Sequence, residues 1–125
     1  MSLRRALAVP ALLIALALGL GACAGSPDPA DATPLPAGTV VLDVRTPAEF
    51  AEGHLDGAVN IDVQGTDFAA RAAELPTDAP VVVYCRSGNR SAAAVAVLRD
   101  LGFTDLTDAG AMPDAAASLG LDIVT

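Results

Sequence analysis

Pro80-Val81-Val82-Val83-Tyr84-Cys85-Arg86-Ser87-Gly88-Asn89-Arg90-Ser91 is the stretch that decides the fold. The β-branched run from Pro80 to Tyr84 predicts a buried strand, and a polar loop with one glycine follows Cys85 directly. From Ser91 to Leu101 small and apolar residues predict a helix, with Gly102 placed to end it. A cysteine between a buried strand and a helix start lies where backbone N–H groups converge, and the helix N-terminus adds about half a positive charge there. Arg86 and Arg90 bring two fixed cations to the same loop. Each effect favours a thiolate and lowers the Cys85 pKa from its free value of about 8.5. The same loop would hold a small oxyanion. The competing reading makes Cys85 a small buried hydrophobe and the arginines surface charges on a turn. Cations on both sides of the loop weigh against it.

The strand and helix signals continue outward. Thr39 to Val44 is a short β-branched run bounded by Gly38 and Pro47 and predicts a buried strand. Thr46-Pro47-Ala48-Glu49 carries the marks of a helix start, Thr as N-cap, Pro at the first position and Glu at the third, and that helix, Pro47 to Ala51, stops at Gly53. Ala58 to Ile61 is a further strand candidate, and Asp67 to Leu75 a helix with Phe68, Ala69, Ala72 and Leu75 on one face. Asp105 to Thr107 and Leu121 to Val124 are the last strand candidates. Strands alternating with helices predict an α/β fold with a mostly parallel central sheet flanked by helices.

Composition narrows the function. A chain of 125 residues holds one compact domain. Seven arginines and no lysine stand against fifteen carboxylates, a net charge of −8, and no basic patch is long enough to follow a phosphate backbone. Nucleic acid is therefore excluded as a partner. Two cysteines form at most one disulfide, so a disulfide scaffold is excluded too. The apolar fraction of 53% is inflated by the N-terminus, where 16 of the first 22 residues are apolar.

Arg4 and Arg5, the apolar run Ala6 to Leu20, and the small residues Gly21 and Ala22 follow the order of a secretory signal. The run is short for a membrane-spanning helix, which needs about 20 apolar residues. Leu20-Gly21-Ala22-Cys23 resembles the lipobox of bacterial lipoproteins, which implies that Cys23 carries a lipid; cleavage a residue or two away would leave it a free exported thiol. The expected organisation is a signal peptide over 1–22, a flexible tether over 23–38, rich in Pro, Ala, Asp and Gly, and a folded domain over 39–125. Loss of Arg4 and Arg5 leaves five arginines against fifteen carboxylates, a mature charge of −10. Cys85 is then the only thiol in the folded part, kept either as an inert buried residue or for its reactivity.

Tyr84-Cys85-Arg86-Ser87-Gly88-Asn89-Arg90-Ser91 resembles the active-site loop of single-domain rhodaneses. Leu42-Asp43-Val44-Arg45-Thr46-Pro47-Ala48-Glu49-Phe50 and Gly53-His54-Leu55-Asp56-Gly57-Ala58-Val59-Asn60-Ile61 resemble the two upstream motifs of that family, in the same order. The resemblance implies a sulfurtransferase: the Cys85 thiolate takes sulfane sulfur from thiosulfate as a persulfide and passes it to cyanide or a thiol. Arg86, Ser87, Gly88, Asn89 and Arg90 would bind the substrate, Arg90 as the anion clamp. Asp43, Arg45 and His54 are expected to be structural. No organic cofactor or metal is implied. Placed together with the lipobox, the resemblance implies an extracytoplasmic monomer held by lipid at the periplasmic or outer face of the membrane. The alternative is a non-enzymatic persulfide carrier or thiol redox sensor at the cell envelope, since a stabilised thiolate is also easily oxidised. Cysteine phosphatases and arsenate reductases are disfavoured, because four residues separate Cys85 from Arg90, one fewer than wraps a tetrahedral phosphate. Asp108-Ala109-Gly110-Ala111-Met112 departs from the family's usual ending, a Gly-Gly pair and a Trp-containing helix, and is closer to exported rhodaneses of the phage-shock type, which lack that helix.

Overall fold

The structure is a computed structural model that describes residues 32–125. The expected signal peptide, Cys23 and most of the expected tether lie outside the described residues. Among the described residues six strands and four helices follow one another: β1 (Val40–Asp43), α1 (Pro47–Glu52), β2 (His54–Leu55), β3 (Val59–Asn60), α2 (Phe68–Ala72), β4 (Val81–Cys85), α3 (Asn89–Asp100), β5 (Leu106–Ala111), α4 (Met112–Leu119) and β6 (Ile123–Val124). The main sheet has the order β3-β1-β4-β5, and every pairing in it is parallel. β2 and β6 form a separate antiparallel pair. The expected α/β architecture is therefore the one observed.

All five residues of β4 are buried, because the strand lies between two neighbours and beneath helices on both faces. Alternation along the strand divides the core. Val81, Val83 and Cys85 pack with Leu42, Val44, Phe68, Ala94, Leu98 and Phe103 on the face covered by α2 and α3. Tyr84 packs with Val41, Leu55 and Ala115 on the face covered by α4 and β2. Both surfaces must be apolar, so β4 reads as an uninterrupted hydrophobic run.

Helix α1 has the expected start. The Thr46 hydroxyl accepts from the Glu49 N–H at 3.2 Å, and the Glu49 carboxylate accepts from the Thr46 N–H at 3.0 Å, a complete capping box. Several elements differ from the expectation: β2 was not expected as a strand, and β5 runs on to Ala111 where Thr107 was expected to end it. α2 spans Phe68–Ala72 rather than reaching Leu75. α3 begins at Asn89, two residues earlier than predicted, so part of the loop is already helical. The ending does carry a helix, α4, despite having no Trp. Pro113 stands in its first turn and Gly120, at φ 64°, ends it. Ala111 at its N-cap accepts no side-chain bond, so the usual polar marker of a helix start was missing.

β1 ends in a buried ion pair. Asp43 and Arg45 are 0% and 5% exposed; the guanidinium reaches both carboxylate oxygens at 2.6–3.0 Å and also donates to the Gly53 carbonyl at 2.6 Å. The Arg45 N–H donates to the same carboxylate at 2.9 Å. A pair satisfied in this way tolerates burial, whereas loss of one partner leaves an uncompensated charge. We predict that Asp43→Ala lowers unfolding free energy in urea by about 3–5 kcal/mol, and that Asp43→Leu combined with Arg45→Met costs clearly less. An Asp43→Ala loss as small as that of a surface substitution would contradict this account.

Candidate active site

Cys85 closes β4, and its residue is wholly buried at the floor of the loop Arg86–Gly88. The Gly88 N–H donates to Sγ at 2.8 Å. That bond requires Gly88 to hold φ 98°, a left-handed conformation which glycine adopts without strain. Sγ and the Ser91 Oγ lie 3.6 Å apart. The Ser91 hydroxyl donates to the Gly88 carbonyl at 2.9 Å and can turn its proton toward a thiolate. Burial pushes the Cys85 thiol up, but hydrogen bonds from the Ser91 hydroxyl and from the N–H groups of Ser91, Gly88 and Ser87 outweigh it, and the net shift is downward. An inert core cysteine has no such ring of donors.

The backbone donors expected from the sequence supply this stabilisation, together with the Ser91 hydroxyl, and neither arginine donates to sulfur. Arg90 forms a two-pronged pair with Glu49, at 2.7 and 2.9 Å. Arg90 and the backbone and hydroxyl of Thr46 hold the Glu49 carboxyl down at about 2. Arg90 is thus a tie between α3 and α1 in this structure, where the sequence led us to expect an open anion clamp. Arg86 is exposed and has no carboxylate partner among the described residues. Ser87 and Asn89 are also exposed on the loop.

The remaining motif residues hold the frame. The Nδ1 of His54 lies 2.9 Å from the Phe50 carbonyl, and its ring stacks on Phe50 with centroids 3.7 Å apart. These contacts fasten β2 to α1. The Tyr84 hydroxyl accepts from the Leu55 N–H at 3.0 Å, and the Arg45 guanidinium lies 5.7 Å from the Tyr84 ring centre. Burial raises the Tyr84 pKa, so the phenol stays neutral. Ser91 and Tyr84 are functional neighbours that sequence reasoning missed. Ser91 had one available signal, a small polar residue in the first turn of a helix that opens on the cysteine loop. Among the described residues no group of three His, Cys, Asp or Glu is placed to hold a metal ion.

The sequence pattern of the rhodanese-like domain matches residues 30–109. The chain belongs to the rhodanese-like domain family. A Pseudomonas fluorescens relative named thiosulfate sulfurtransferase GlpE is 47% identical over 70 residues, which cover 55% of this chain and 62% of that protein. A Pseudomonas aeruginosa relative of the same name is 46% identical over 70 residues, covering 55% of this chain and 61% of its own. The match thus spans about three-fifths of these curated relatives. Among solved structures, a rhodanese with anions from E. coli is 29% identical with a TM-score of 0.59, covering 70% of this chain and 98% of that one. A rhodanese-related protein from Thermoplasma volcanium is 32% identical with a TM-score of 0.58, covering 70% of this chain and 84% of its own. Within this rhodanese-like domain the cysteine loop, the Asp43–Arg45 pair and the Glu49–Arg90 pair form one connected frame.

Proposed function

We propose that this rhodanese-like protein is a sulfurtransferase that moves sulfane sulfur from thiosulfate to a thiophilic acceptor, cyanide or a thiol, through a persulfide on Cys85. The observation that carries the proposal is the 2.8 Å bond from the Gly88 N–H to Sγ in a loop whose donors lower the thiol pKa. The names of the Pseudomonas relatives support thiosulfate as donor. The Cys85 thiolate attacks the outer sulfur of thiosulfate, the S–S bond breaks, and sulfite leaves with its electron pair. The acceptor then attacks the outer sulfur of the persulfide and returns Cys85 to the thiolate. Each half-reaction places negative charge on sulfur at the loop, so the same N–H groups serve both.

The N-terminal sequence supports a location for this chemistry. The apolar run and Leu20-Gly21-Ala22-Cys23 point to export and to a lipid on Cys23, which would hold the domain by its tether at an extracytoplasmic membrane face.

Mass spectrometry after thiosulfate treatment should show one added sulfur on Cys85, and Cys85→Ser should lower thiocyanate formation to the uncatalysed background. An unmodified Cys85, or unchanged turnover in the serine variant, would overturn the proposal. The full chain expressed in a bacterial host should sediment with membranes, and Cys23→Ala should release it to the soluble fraction; equal partitioning of the two would remove the anchor.

A further inference from the structure

Cys85 is 0% exposed, so a sulfur donor reaches Sγ only where a contact at the loop gives way. A cavity of about 480 Å³ has Glu49, Glu52 and Arg86 in its wall but stops short of Cys85; its Glu52 carboxylate is exposed, with no ion-pair partner among the described residues. The contact that yields belongs to the loop itself.

Arg90 stands between two residues that meet the sulfur, since the Gly88 N–H donates to Sγ and the Ser91 Oγ lies 3.6 Å from it. Bonds to Glu49 raise the Arg90 pKa against the opposing effect of burial, and the negative charges of Cys85 and Asp62 add to the rise. The guanidinium is therefore within electrostatic reach of a thiolate. Its partner comes from the neighbouring strand. Asp43 of β1 is paired with Tyr84 of β4, so Thr46 to Glu49 leaves the end of one strand as Arg86 to Arg90 leaves the end of the other. The Glu49–Arg90 pair bridges these two segments at the end of the sheet that carries the nucleophile.

The two arginine–carboxylate pairs of the frame differ in openness. The side chains of Arg45 and Asp43 are 6% and 0% exposed, whereas those of Arg90 and Glu49 are 21% and 22% exposed, so a dissolved anion can compete only for the second pair. Exchange there orphans neither group. The Glu49 carboxylate also accepts from the Thr46 N–H and hydroxyl at 3.0 and 3.1 Å, partners it keeps when Arg90 turns away. An oxyanion offers Arg90 the same two-pronged set of oxygens as a carboxylate does.

Resting on the sulfur-transfer role proposed above, we infer that Glu49 is an internal competitor for the donor: the oxygens of thiosulfate displace its carboxylate from Arg90 and take its place beside Cys85. The thiolate then attacks the outer sulfur, the S–S bond breaks, and sulfite leaves with the electron pair. Glu49 returns to Arg90 as sulfite departs. Glu49 acts through Arg90 and sets the threshold that an anionic donor must exceed.

The test compares the full chain with Glu49→Gln, Arg90→Gln and Arg90→Lys, with every rate referred to each protein's own thiolate concentration. Glutamine still accepts from the Thr46 N–H and preserves the cap of α1, and Arg90 is only half-buried in the first turn of α3. Two quantities are read: the second-order rate of Cys85 loading by thiosulfate, and the sulfate concentration that half-protects Cys85 from iodoacetamide. Glu49→Gln should load about fivefold faster, the factor of one partly exposed ion pair, and should be protected at lower sulfate than the parent protein. Arg90→Gln should load about tenfold slower, the factor of a lost charge-assisted hydrogen bond, and should need more sulfate. Arg90→Lys, which keeps the charge, should recover part of both. A purely structural tie is broken equally by Glu49→Gln and Arg90→Gln and moves each quantity in one direction for both. That result, unchanged or slower loading in Glu49→Gln, or Arg90→Lys no better than Arg90→Gln would overturn the inference while normal loading of the parent keeps the transfer role. A parent protein that takes no sulfur from thiosulfate, with sulfate protection still shifted oppositely in the two glutamine variants, overturns the transfer role and supports the anion exchange.

Discussion

The hydrogen bond from the Gly88 N–H to the Cys85 sulfur is the contact on which the site depends. Cys85 belongs to the core between β4 and α3, where burial alone would raise its pKa and leave a neutral, unreactive thiol. A chain that ends a fully buried strand on a nucleophile must therefore supply donors within the next few residues. The left-handed Gly88 turns the backbone so that its N–H faces back onto sulfur, and α3 begins at once, bringing the N–H and hydroxyl of Ser91 to the same atom. Charge on sulfur is met by dipoles fixed by the backbone, which need no reorganisation when charge appears there.

Such a cradle holds its shape only if the elements around it are fixed, and the upstream segments do this from two directions. Glu49 belongs to the capping box of α1 and also grips Arg90 in the first turn of α3, so the starts of α1 and α3 are joined through one carboxylate. Arg45 links Asp43 to the Gly53 carbonyl at the end of α1, and the Tyr84 hydroxyl, one residue before the nucleophile, receives the N–H of Leu55 in β2. Each of these side chains lies outside the reacting atoms and acts by position.

The parallel sheet, the capped α1 and the reactive loop were legible because each rests on local chemistry: the apolar run of β4, the Thr46–Glu49 spacing, and a cysteine between a strand and a helix. The partner of Arg90 was hidden, because Glu49 lies far away in sequence and was explained already by its cap. A single carboxylate with two roles looks the same in sequence as one with a single role. α4 was hidden for the opposite reason: Pro113 and Gly120 frame it, but Ala111 carries no capping side chain. Ser91 stood in the sequence only as the first residue of a helix, and its 3.6 Å approach to sulfur reveals what it does there.

The site has one guanidinium in a closed pair and one left open, beside a cavity that carries an open carboxylate as well. The loop stabilises sulfur by short-range donors from Ser87, Gly88 and Ser91. The ultraviolet absorbance of the Cys85 thiolate against pH tests this stabilisation directly. A folded-state pKa held down by donors predicts a midpoint below the ordinary value of about 8.5, shifting upward in Ser91→Ala. A midpoint at or above that value in the parent protein would contradict the account.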